Sequence, residues 1–190
     1  MRLEDLIDNK MTDKNTTHSY LDVYQDIIGH RKETAKNIIE IGIDKGGSIK
    51  LWHDYFTNAT IHAVDVMNSE YIWEEITDKD RIIIHSSFDA YDKILFEKTF
   101  IDNNIKFDII IDDGAHTLDS VKKIVQLYTR LMTDDGILII EDIQSTAWLR
   151  VLHGETPANL KPFISTYDLR SKKRRYDDLL FVIDKSKKII

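Results

Sequence analysis

From about residue 37 onward, short apolar runs alternate with segments whose apolar positions recur at helical spacing. The apolar runs predict five strands, at residues 37–43, 60–66, 81–85, 107–111 and 136–140. These runs are rich in Ile and Val without alternating polar positions, which is typical of strands buried on both faces. The pattern therefore predicts a parallel sheet covered by helices.

The segments between these strands predict helices at residues 49–56, 71–76, 90–100 and 118–132. Strands that alternate with helices indicate right-handed βαβ units, and hence a doubly wound α/β fold. Two further strands are predicted at residues 163–169 and 179–184. A basic cluster lies between them, and we interpret it as a solvated hairpin tip in preference to an anion site or a localisation signal. The cluster comprises Lys172, Lys173, Arg174 and Arg175.

Two segments fall outside the strand–helix repeat. Residues 1–36 are predicted to form an N-terminal helical segment or lid, with a helix near residues 19–30, and residues 37–190 the core. Residues 143–161 follow the fifth strand and are predicted to form a long loop. Because long loops in compact domains are usually functional, we expect this one to face a substrate.

Composition narrows the class of protein. The 190 residues suit one domain. The net charge of −7 disfavours nucleic acid as a partner, because binding to phosphates generally requires a basic face. No apolar run approaches the ~20 residues of a membrane span, and the charged N-terminus does not resemble a signal peptide. The absence of cysteine excludes disulfides, zinc–thiolate sites and a cysteine nucleophile. We expect a cytoplasmic protein.

Glycines follow the first predicted strand, and an acid ends the second. The glycine spacing is GxxxGG, which differs from the GxGxxG pattern of dinucleotide-binding folds. Asp65 could accept hydrogen bonds from a ribose diol, or it could cap the following helix. Together these features suit a ligand that carries adenosine without a diphosphate. The residues of the first turn are Glu40, Gly42, Gly46, Gly47 and Ser48.

Acidic pairs end two neighbouring strands of the predicted sheet. Asp112 and Asp113 follow the fourth strand, and Glu141 and Asp142 follow the fifth. Turn chemistry would explain one such pair, but several carboxylates in one crevice repel each other unless a cation lies among them. Oxygen ligands suit Mg²⁺, which can help an alcohol lose its proton. His116, three residues after Asp113, could accept that proton.

With these motifs the chain resembles the class I S-adenosylmethionine (SAM)-dependent methyltransferases. Within them it is most similar to the Mg²⁺-dependent sugar O-methyltransferases of the macrocin and mycinamicin type. The resemblance covers about residues 12–142. It rests on residues 112–116 (DDGAH), on an acidic pair 28 positions later (141 − 113 = 28), and on residues 40–56 (EIGIDKGGSIKLWHDYF). It also includes the opening residues Thr12, Asp13, Lys14, His18, Tyr20 and Tyr24.

The resemblance implies a single-domain, Rossmann-like, mostly parallel sheet of seven strands in the order 3-2-1-4-5-7-6. It implies SAM and Mg²⁺ as cofactors, a sugar or other small hydroxyl compound as acceptor, and His116 as the general base with Asp113 beside it. The implied metal ligands are Asp113, Glu141 and Asp142. The implied cofactor-facing residues are Glu40, Gly42, Gly46, Gly47, Ser48, Asp65, Ser87 near the adenine, and Asp112.

Two alternatives remain at this point. A metal-dependent methyltransferase of a catechol-like diol uses the same metal chemistry, and a non-catalytic SAM-binding domain would bind the cofactor without transfer. The chain is short, so the acceptor would be held by the N-terminal segment, by residues 143–161 or by a neighbouring subunit of a homo-oligomer. We expect structural roles for the remaining histidines, which are His18, His30, His53, His62, His85 and His153.

Overall fold

The computed structural model describes residues 1–187, so the core predicted to reach residue 190 is described as far as Lys187. Seven strands form one sheet in the order β3-β2-β1-β4-β5-β7-β6. The strands are β1 (Asn37–Ile41), β2 (Thr60–Val64), β3 (Ile82–His85), β4 (Phe107–Asp112), β5 (Met132–Ile140), β6 (Ile164–Asp168) and β7 (Leu179–Asp184).

The first five strands are parallel, and β7 runs antiparallel to both β5 and β6. The predicted fold class and strand order are therefore confirmed. The direction in which successive strands are added to the sheet reverses between the adjacent strands β1 and β4. Both strands are central and parallel, so their carboxyl ends lie at the same edge of the sheet. Ligands bind at this point in doubly wound sheets, because the loops on the two sides diverge and leave a crevice.

Within residues 1–187, seven α-helical segments surround the sheet. They are α1 (Leu21–Ile28), α2 (Gly47–Tyr55), α3 (Glu74–Thr77), α4 (Lys93–Phe96), α5 (Leu118–Tyr128), α6 (Thr146–Glu155) and α7 (Arg170–Lys173). A π-helical turn, Glu97–Ile101, continues α4, and 3-10 turns occur at Leu3–Asp5, Gly29–Arg31, Ser69–Tyr71, Thr129–Leu131 and Lys161–Phe163.

Some local predictions differ from the structure. Strand β5 begins at Met132 instead of residue 136, and α5 ends at Tyr128 instead of residue 132. Residues 143–161, expected to be a loop, contain the ten-residue helix α6, which the Ser145 hydroxyl caps at the Ala147 amide. The basic cluster at residues 172–175 is not a simple hairpin tip, since its first two residues end α7. Lys173 Nζ donates to the carbonyls of Asn15, Thr16 and His18. This lysine therefore ties the β6–β7 connection to the N-terminal segment.

Successive residues of each strand point to opposite faces of the sheet and pack into two separate hydrophobic cores. On one face Ile109 and Ile111 pack with Trp52 and Tyr24, which belong to α2 and α1. On the other face Ile110 packs with residues of α5 and with the phenylalanines around Phe100. Burial on both faces explains why the strands lack polar alternation. No helix within residues 1–187 is long and apolar enough to cross a membrane.

Candidate functional site

A cavity of about 710 Å³ opens at the carboxyl ends of β1, β2 and β4. Its walls come from the turn after β1, the residues after β2, the turn after β4, and the N-terminal segment. The lining includes Met11, Asp13, Gly42, Ser48, Asp65, Phe88, Tyr91, Asp113, His116 and Asp142. The cavity is thus at the crevice where the strand order reverses, and it is large enough for a small cofactor.

The predicted cofactor-facing residues divide into two groups. Gly42, Ser48 and Asp65 line the cavity. Gly46, Gly47, Ser87, Glu40 and Asp112 are not among the lining residues. At the position predicted to meet adenine, Phe88 rather than Ser87 forms the wall.

The two glycines at the ends of the β1–α2 turn are required by close backbone contacts. Gly42 has φ +78°, and a Cβ there would lie 2.1 Å from the carbonyl oxygen of Asp113. A Cβ on Gly47 would lie 2.1 Å from the carbonyl oxygen of Met11. Gly42 therefore lets the turns after β1 and β4 meet, and Gly47 lets the N-terminal segment cross the start of α2.

Asp65 uses both carboxylate oxygens to order the cavity wall. Oδ2 accepts from the Ile43 amide at 2.9 Å, and Oδ1 accepts from the Met67 amide at 2.8 Å. An ionised carboxylate has about four acceptor positions, so two remain for a ligand. The structure thus shows that Asp65 orders this turn, and the residue also lines the cavity.

Three of the residues predicted to be catalytic or to bind the metal meet on one wall of the cavity. His116 Nε2 lies 3.6 Å from Asp113 Oδ1 and 3.6 Å from Asp142 Oδ2. One ligand atom from each of the three lies within 4.8 Å of the others, a spacing that could hold a metal ion. The turn after β4 and the end of β5 bring them together, because adjacent parallel strands end at the same edge.

The backbone at two of these residues lies in the left-handed region. His116 has φ +48° and Asp142 has φ +52°. For residues other than glycine this conformation costs free energy, and it is concentrated at functional sites. Gln144 Nε2 donates to the His116 carbonyl at 2.8 Å and so links the two turns.

Glu141, the remaining predicted ligand, points into the protein. Its carboxylate accepts from Lys14 Nζ at 2.8 and 3.0 Å and from the Tyr24 hydroxyl. Lys14 Nζ also donates to Asp113 Oδ2 at 2.7 Å and lies 3.2 Å from Glu40 Oε1. Glu141, Asp113 and Glu40 form a second group whose ligand atoms lie within 4.8 Å of one another. Asp113 therefore belongs to both groups of acids.

Glu40 has a structural set of partners. Its Oε2 accepts from Ser48 Oγ at 2.7 Å and from Trp52 Nε1 at 3.0 Å. These bonds hold the start of α2 against the end of β1. The residue is fully buried. The charge of Lys14 nearby offsets the cost of keeping this carboxylate away from water.

The N-terminal segment supplies site contacts that the sequence analysis did not assign. The Tyr20 hydroxyl donates to Asp142 Oδ1 at 2.5 Å. His18 Nδ1 lies 2.6 Å from Asp178 Oδ1 and 3.3 Å from Asp142 Oδ1. The sequence does contain a signal for these contacts. Four side chains with polar groups occur close together before and within the first predicted helix, at Lys14, His18, Tyr20 and Tyr24.

Burial shifts the pKa values of the acids and of Lys14. Burial raises the pKa of Glu141 well above its usual value, the charge of Asp113 adds to this, and Lys14 opposes it. Burial also raises the pKa of Asp112 to about 7, although the Tyr91 hydroxyl donates to this carboxyl and lowers it. Burial alone would lower the pKa of Lys14, but the charges of Asp113, Glu141 and Glu40 outweigh it and raise this pKa. The acids around Lys14 therefore favour its charged form.

The chain is similar in sequence to curated sugar O-methyltransferases. It is 26% identical over 133 residues to the 8-demethyl-8-(2-methoxy-alpha-L-rhamnosyl)-tetracenomycin-C 3'-O-methyltransferase of Streptomyces olivaceus. This match covers 66% of this chain and 32% of that protein. It is 26% identical over 122 residues to the mycinamicin VI 2''-O-methyltransferase of Micromonospora griseorubida, covering 58% of this chain and 28% of that protein. No protein-family model matches the chain.

The fold is shared with solved methyltransferases. The MycE methyltransferase of the mycinamycin pathway, in complex with Mg, SAH and mycinamycin VI, superposes with a TM-score of 0.74 at 19% identity. The match covers 100% of this chain and 57% of that one. The resemblance to class I methyltransferases and to the sugar O-methyltransferases among them is thus confirmed, with a Rossmann-like methyltransferase fold. The chain spans about a third of the length of the curated relatives it matches.

Proposed function

We propose that this protein is a SAM-dependent O-methyltransferase that transfers a methyl group to a hydroxyl of a sugar, with Mg²⁺ and His116 assisting. One observation carries the proposal. A cavity at the switch point of the sheet has Gly42, Ser48 and Asp65 on one wall and Asp113, His116 and Asp142 on another. This arrangement supports the proposal that an adenosine-bearing cofactor binds at the first wall and that the acceptor hydroxyl is activated at the second.

The relatives agree with this chemistry. The curated proteins similar to this chain are named as O-methyltransferases of glycosylated compounds, and the MycE structures contain SAH and Mg. We extend both cofactors to this chain because its own residues suit them. A sugar acceptor is the proposal that these relatives favour over a catechol-like diol.

The donor set suits a hard divalent cation. Asp113 Oδ1 and Asp142 Oδ2 face the cavity on either side of His116, and carboxylate oxygens are ligands that Mg²⁺ prefers. Glu141 approaches Asp113 from the interior, where Lys14 lies between them. We propose Asp113 and Asp142 as ligands from the cavity side. Glu141, the third predicted ligand, has both oxygens on Lys14 and would have to exchange this partner to bind the cation. When bound, the cation would stabilise the alkoxide form of an acceptor hydroxyl.

His116 is proposed to accept the acceptor's proton at Nε2. The O–H bond breaks as the oxygen attacks the methyl carbon of SAM, a C–O bond forms, and the C–S bond breaks to leave the neutral thioether. Asp113 and Asp142 lie beside Nε2 and would stabilise the imidazolium that results. Much of the remaining rate enhancement would come from holding the two reactants in line.

The segments that flank this wall are proposed to hold the acceptor. Residues 143–161 begin directly after Asp142, and α6 carries Trp148 and Leu149, which are half-buried against the core beneath α5. The N-terminal residues Met11 and Asp13 line the cavity. We propose that these two segments form the acceptor side of the site, with residues 1–36 acting as a lid.

The first test is titration calorimetry of the protein with SAM, followed by methyl-transfer assays with Mg²⁺ and after chelation with EDTA. The acceptor panel contains rhamnosides and other glycosides, catechols, and aglycones that lack the sugar. We expect SAM binding, and Mg²⁺-dependent methylation of a glycoside that fails with its aglycone. Transfer to catechols alone would replace the sugar with a small diol, and binding without transfer to any acceptor would favour a non-catalytic domain.

Asp113→Asn tests the metal ligand. We expect this variant to lose its response to Mg²⁺, because a neutral amide binds the cation poorly. Asp119→Asn, at an exposed position on α5, is the matched control and should respond as the unmodified protein does. A normal Mg²⁺ response in Asp113→Asn would show that the ligand assignment is wrong.

A further inference from the structure

The two oxygens of Asp113 have different partners. Oδ2 accepts from Lys14 Nζ at 2.7 Å, whereas Oδ1 lies 3.6 Å from His116 Nε2 on the cavity side. Lys14 is only 1% exposed, and its ammonium also donates to Glu141. The inner oxygen of Asp113 is therefore fixed by the N-terminal segment, and the outer oxygen faces the candidate cation site.

Asp142 shows the same division. Its Oδ1 accepts from the Tyr20 hydroxyl at 2.5 Å and lies 3.3 Å from His18 Nδ1, whereas Oδ2 lies 3.6 Å from His116 Nε2. His18 is in turn fixed by Asp178, which is fully buried and lies 2.6 Å from Nδ1. The rings of His18 and Tyr20 stack with their centroids 4.8 Å apart. The two residues that contact Asp142 Oδ1, Tyr20 and His18, are thus themselves fixed by other contacts.

We propose that Lys14 and Tyr20 are positioning residues, which turn one oxygen of Asp113 and one oxygen of Asp142 toward a shared cation. This inference rests on the proposed metal-assisted function. Without these partners, the carboxylates of Asp113 and Asp142 could rotate about their Cβ–Cγ bonds. Repulsion between the two negative charges would then favour orientations in which their oxygens point away from each other. Partners that orient the ligands of a metal typically contribute a factor of about 10 to 100 in metal affinity.

The burial of Tyr20 makes its role specific. The side chain is wholly buried, and a buried hydroxyl requires a hydrogen-bond partner. Its second contact, with the Asp177 carbonyl, is long at 3.4 Å, so Asp142 is its main partner. The hydroxyl therefore has one dominant contact, and removing it should change one carboxylate and leave the packing of the ring in place.

The test is Tyr20→Phe, studied by direct binding of Mn²⁺ as a Mg²⁺ substitute. Free Mn²⁺ is counted by its electron paramagnetic resonance signal in a titration without acceptor. We expect the dissociation constant for Mn²⁺ to rise about 10-fold or more, while the calorimetric affinity for SAH stays within about 2-fold, because Tyr20 does not line the cavity. The retained SAH affinity also shows that the variant is folded.

Tyr55→Phe is the matched control. Tyr55 is another buried tyrosine, but its hydroxyl contacts Gln25 and the Gly29 carbonyl, away from the acids. It should bind Mn²⁺ as the unmodified protein does. Lys14→Arg provides a second variant, which keeps the charge but changes the geometry at Asp113, and it should also weaken Mn²⁺ binding.

The outcomes separate this inference from the proposed function. Equal Mn²⁺ affinities for Tyr20→Phe and the unmodified protein would overturn the positioning role, whether or not methyl transfer occurs. Failure of the unmodified protein to bind Mn²⁺ would overturn it as well. Weakened Mn²⁺ binding in the variant, with no transfer to any acceptor by the unmodified protein, would support the positioning role and contradict the proposed reaction.

Discussion

Lys14 Nζ donates to both carboxylate oxygens of Glu141, at 2.8 and 3.0 Å, across 127 residues of sequence. The pair lies in the interior at the junction of the N-terminal segment and the end of β5. One ammonium there compensates for three carboxylates, because Asp113 and Glu40 also contact it. This contact fastens the N-terminal segment to the sheet as well as ordering the acids.

Lys14→Met should strongly destabilise the fold. Methionine has a similar length but no charge, so the buried carboxylates of Glu40 and Glu141 and the partly exposed one of Asp113 would lose their counter-ion. Breaking one side of a buried ion pair costs about 3–5 kcal/mol, because the remaining charge is left uncompensated. Urea unfolding followed by circular dichroism measures the free energy of unfolding.

Lys123→Met is the control for Lys14→Met. Lys123 pairs with Asp119 on the half-exposed face of α5, and surface pairs contribute about 1 kcal/mol or less. Losses of similar size in the two variants would show that Lys14 does not carry the interior charge balance.

His116→Asn should remove most methyl transfer while leaving SAM binding nearly unchanged. Asparagine tolerates the left-handed conformation that His116 adopts, so the turn is preserved, but the amide cannot accept a proton. A general base typically contributes a factor of about 10² to 10⁴ to the rate. Steady-state rates with a glycoside acceptor and calorimetry with SAM measure the two effects.

The control for this histidine is Asp119→Asn, at an exposed position on α5 outside the proposed site. It should transfer methyl groups at the rate of the unmodified protein. Near-normal transfer by His116→Asn would exclude His116 as the base, and a large loss of SAM affinity would assign the residue to cofactor binding instead.

The sheet could be predicted because its signal is local. Each strand from β1 to β5 contains a short, mostly apolar run, and the acids at the ends of β4 and β5 mark where those strands end. Parallel pairing then brings Asp113 and Asp142 to one edge without further information. The resemblance to known methyltransferases supplied the strand order, which periodicity alone does not determine.

The contacts of Lys14 with the buried acids could not be predicted in this way. Lys14 meets Glu141 only because the N-terminal segment crosses the start of α2 at Gly47, and no local pattern encodes a contact of that sequence separation. The direction of a carboxylate is equally hidden, since an acid at a strand end can face the cavity, as Asp142 does, or the interior, as Glu141 does. Helix α6 was missed although half of its ten residues are apolar, and only Leu152 among them is buried.

The protein should lose stability as the pH falls from 6.5 toward 4, partly through His62. Burial lowers the pKa of His62 to about 4, and His85 beside it adds to the shift. In the unfolded chain His62 binds a proton near pH 6.5, whereas in the folded protein it binds one only near pH 4. Its contribution to stability is therefore complete above pH 6.5 and decreases as the pH falls below that value. This one group should make the free energy of unfolding about 2 kcal/mol lower at pH 5 than at pH 7.

His62→Phe tests this pH dependence. The ring packs edge-on against Phe100 and Phe107, so phenylalanine can fill the space without titrating. Urea unfolding at pH 5 and pH 7 should show a smaller difference in this variant than in the unmodified protein. His30→Phe, at an exposed position, should keep the full difference. An unchanged difference in His62→Phe would assign the acid sensitivity to other groups.

Alanine substitutions at two glycines should have opposite effects on stability. Gly42→Ala places a methyl group 2.1 Å from the Asp113 carbonyl oxygen at a positive φ, so strain and overlap should cost about 2 to 5 kcal/mol and displace the turn that carries Asp113 and His116. Gly154 lies in α6 with no atom within 4 Å of an added Cβ, and Gly154→Ala should stabilise by about 0.5–1 kcal/mol through helix propensity. Urea unfolding measures both, and SAM calorimetry should show weaker binding only in Gly42→Ala. Equal stabilities would mean that the contact between the turns after β1 and β4 is looser than its geometry indicates.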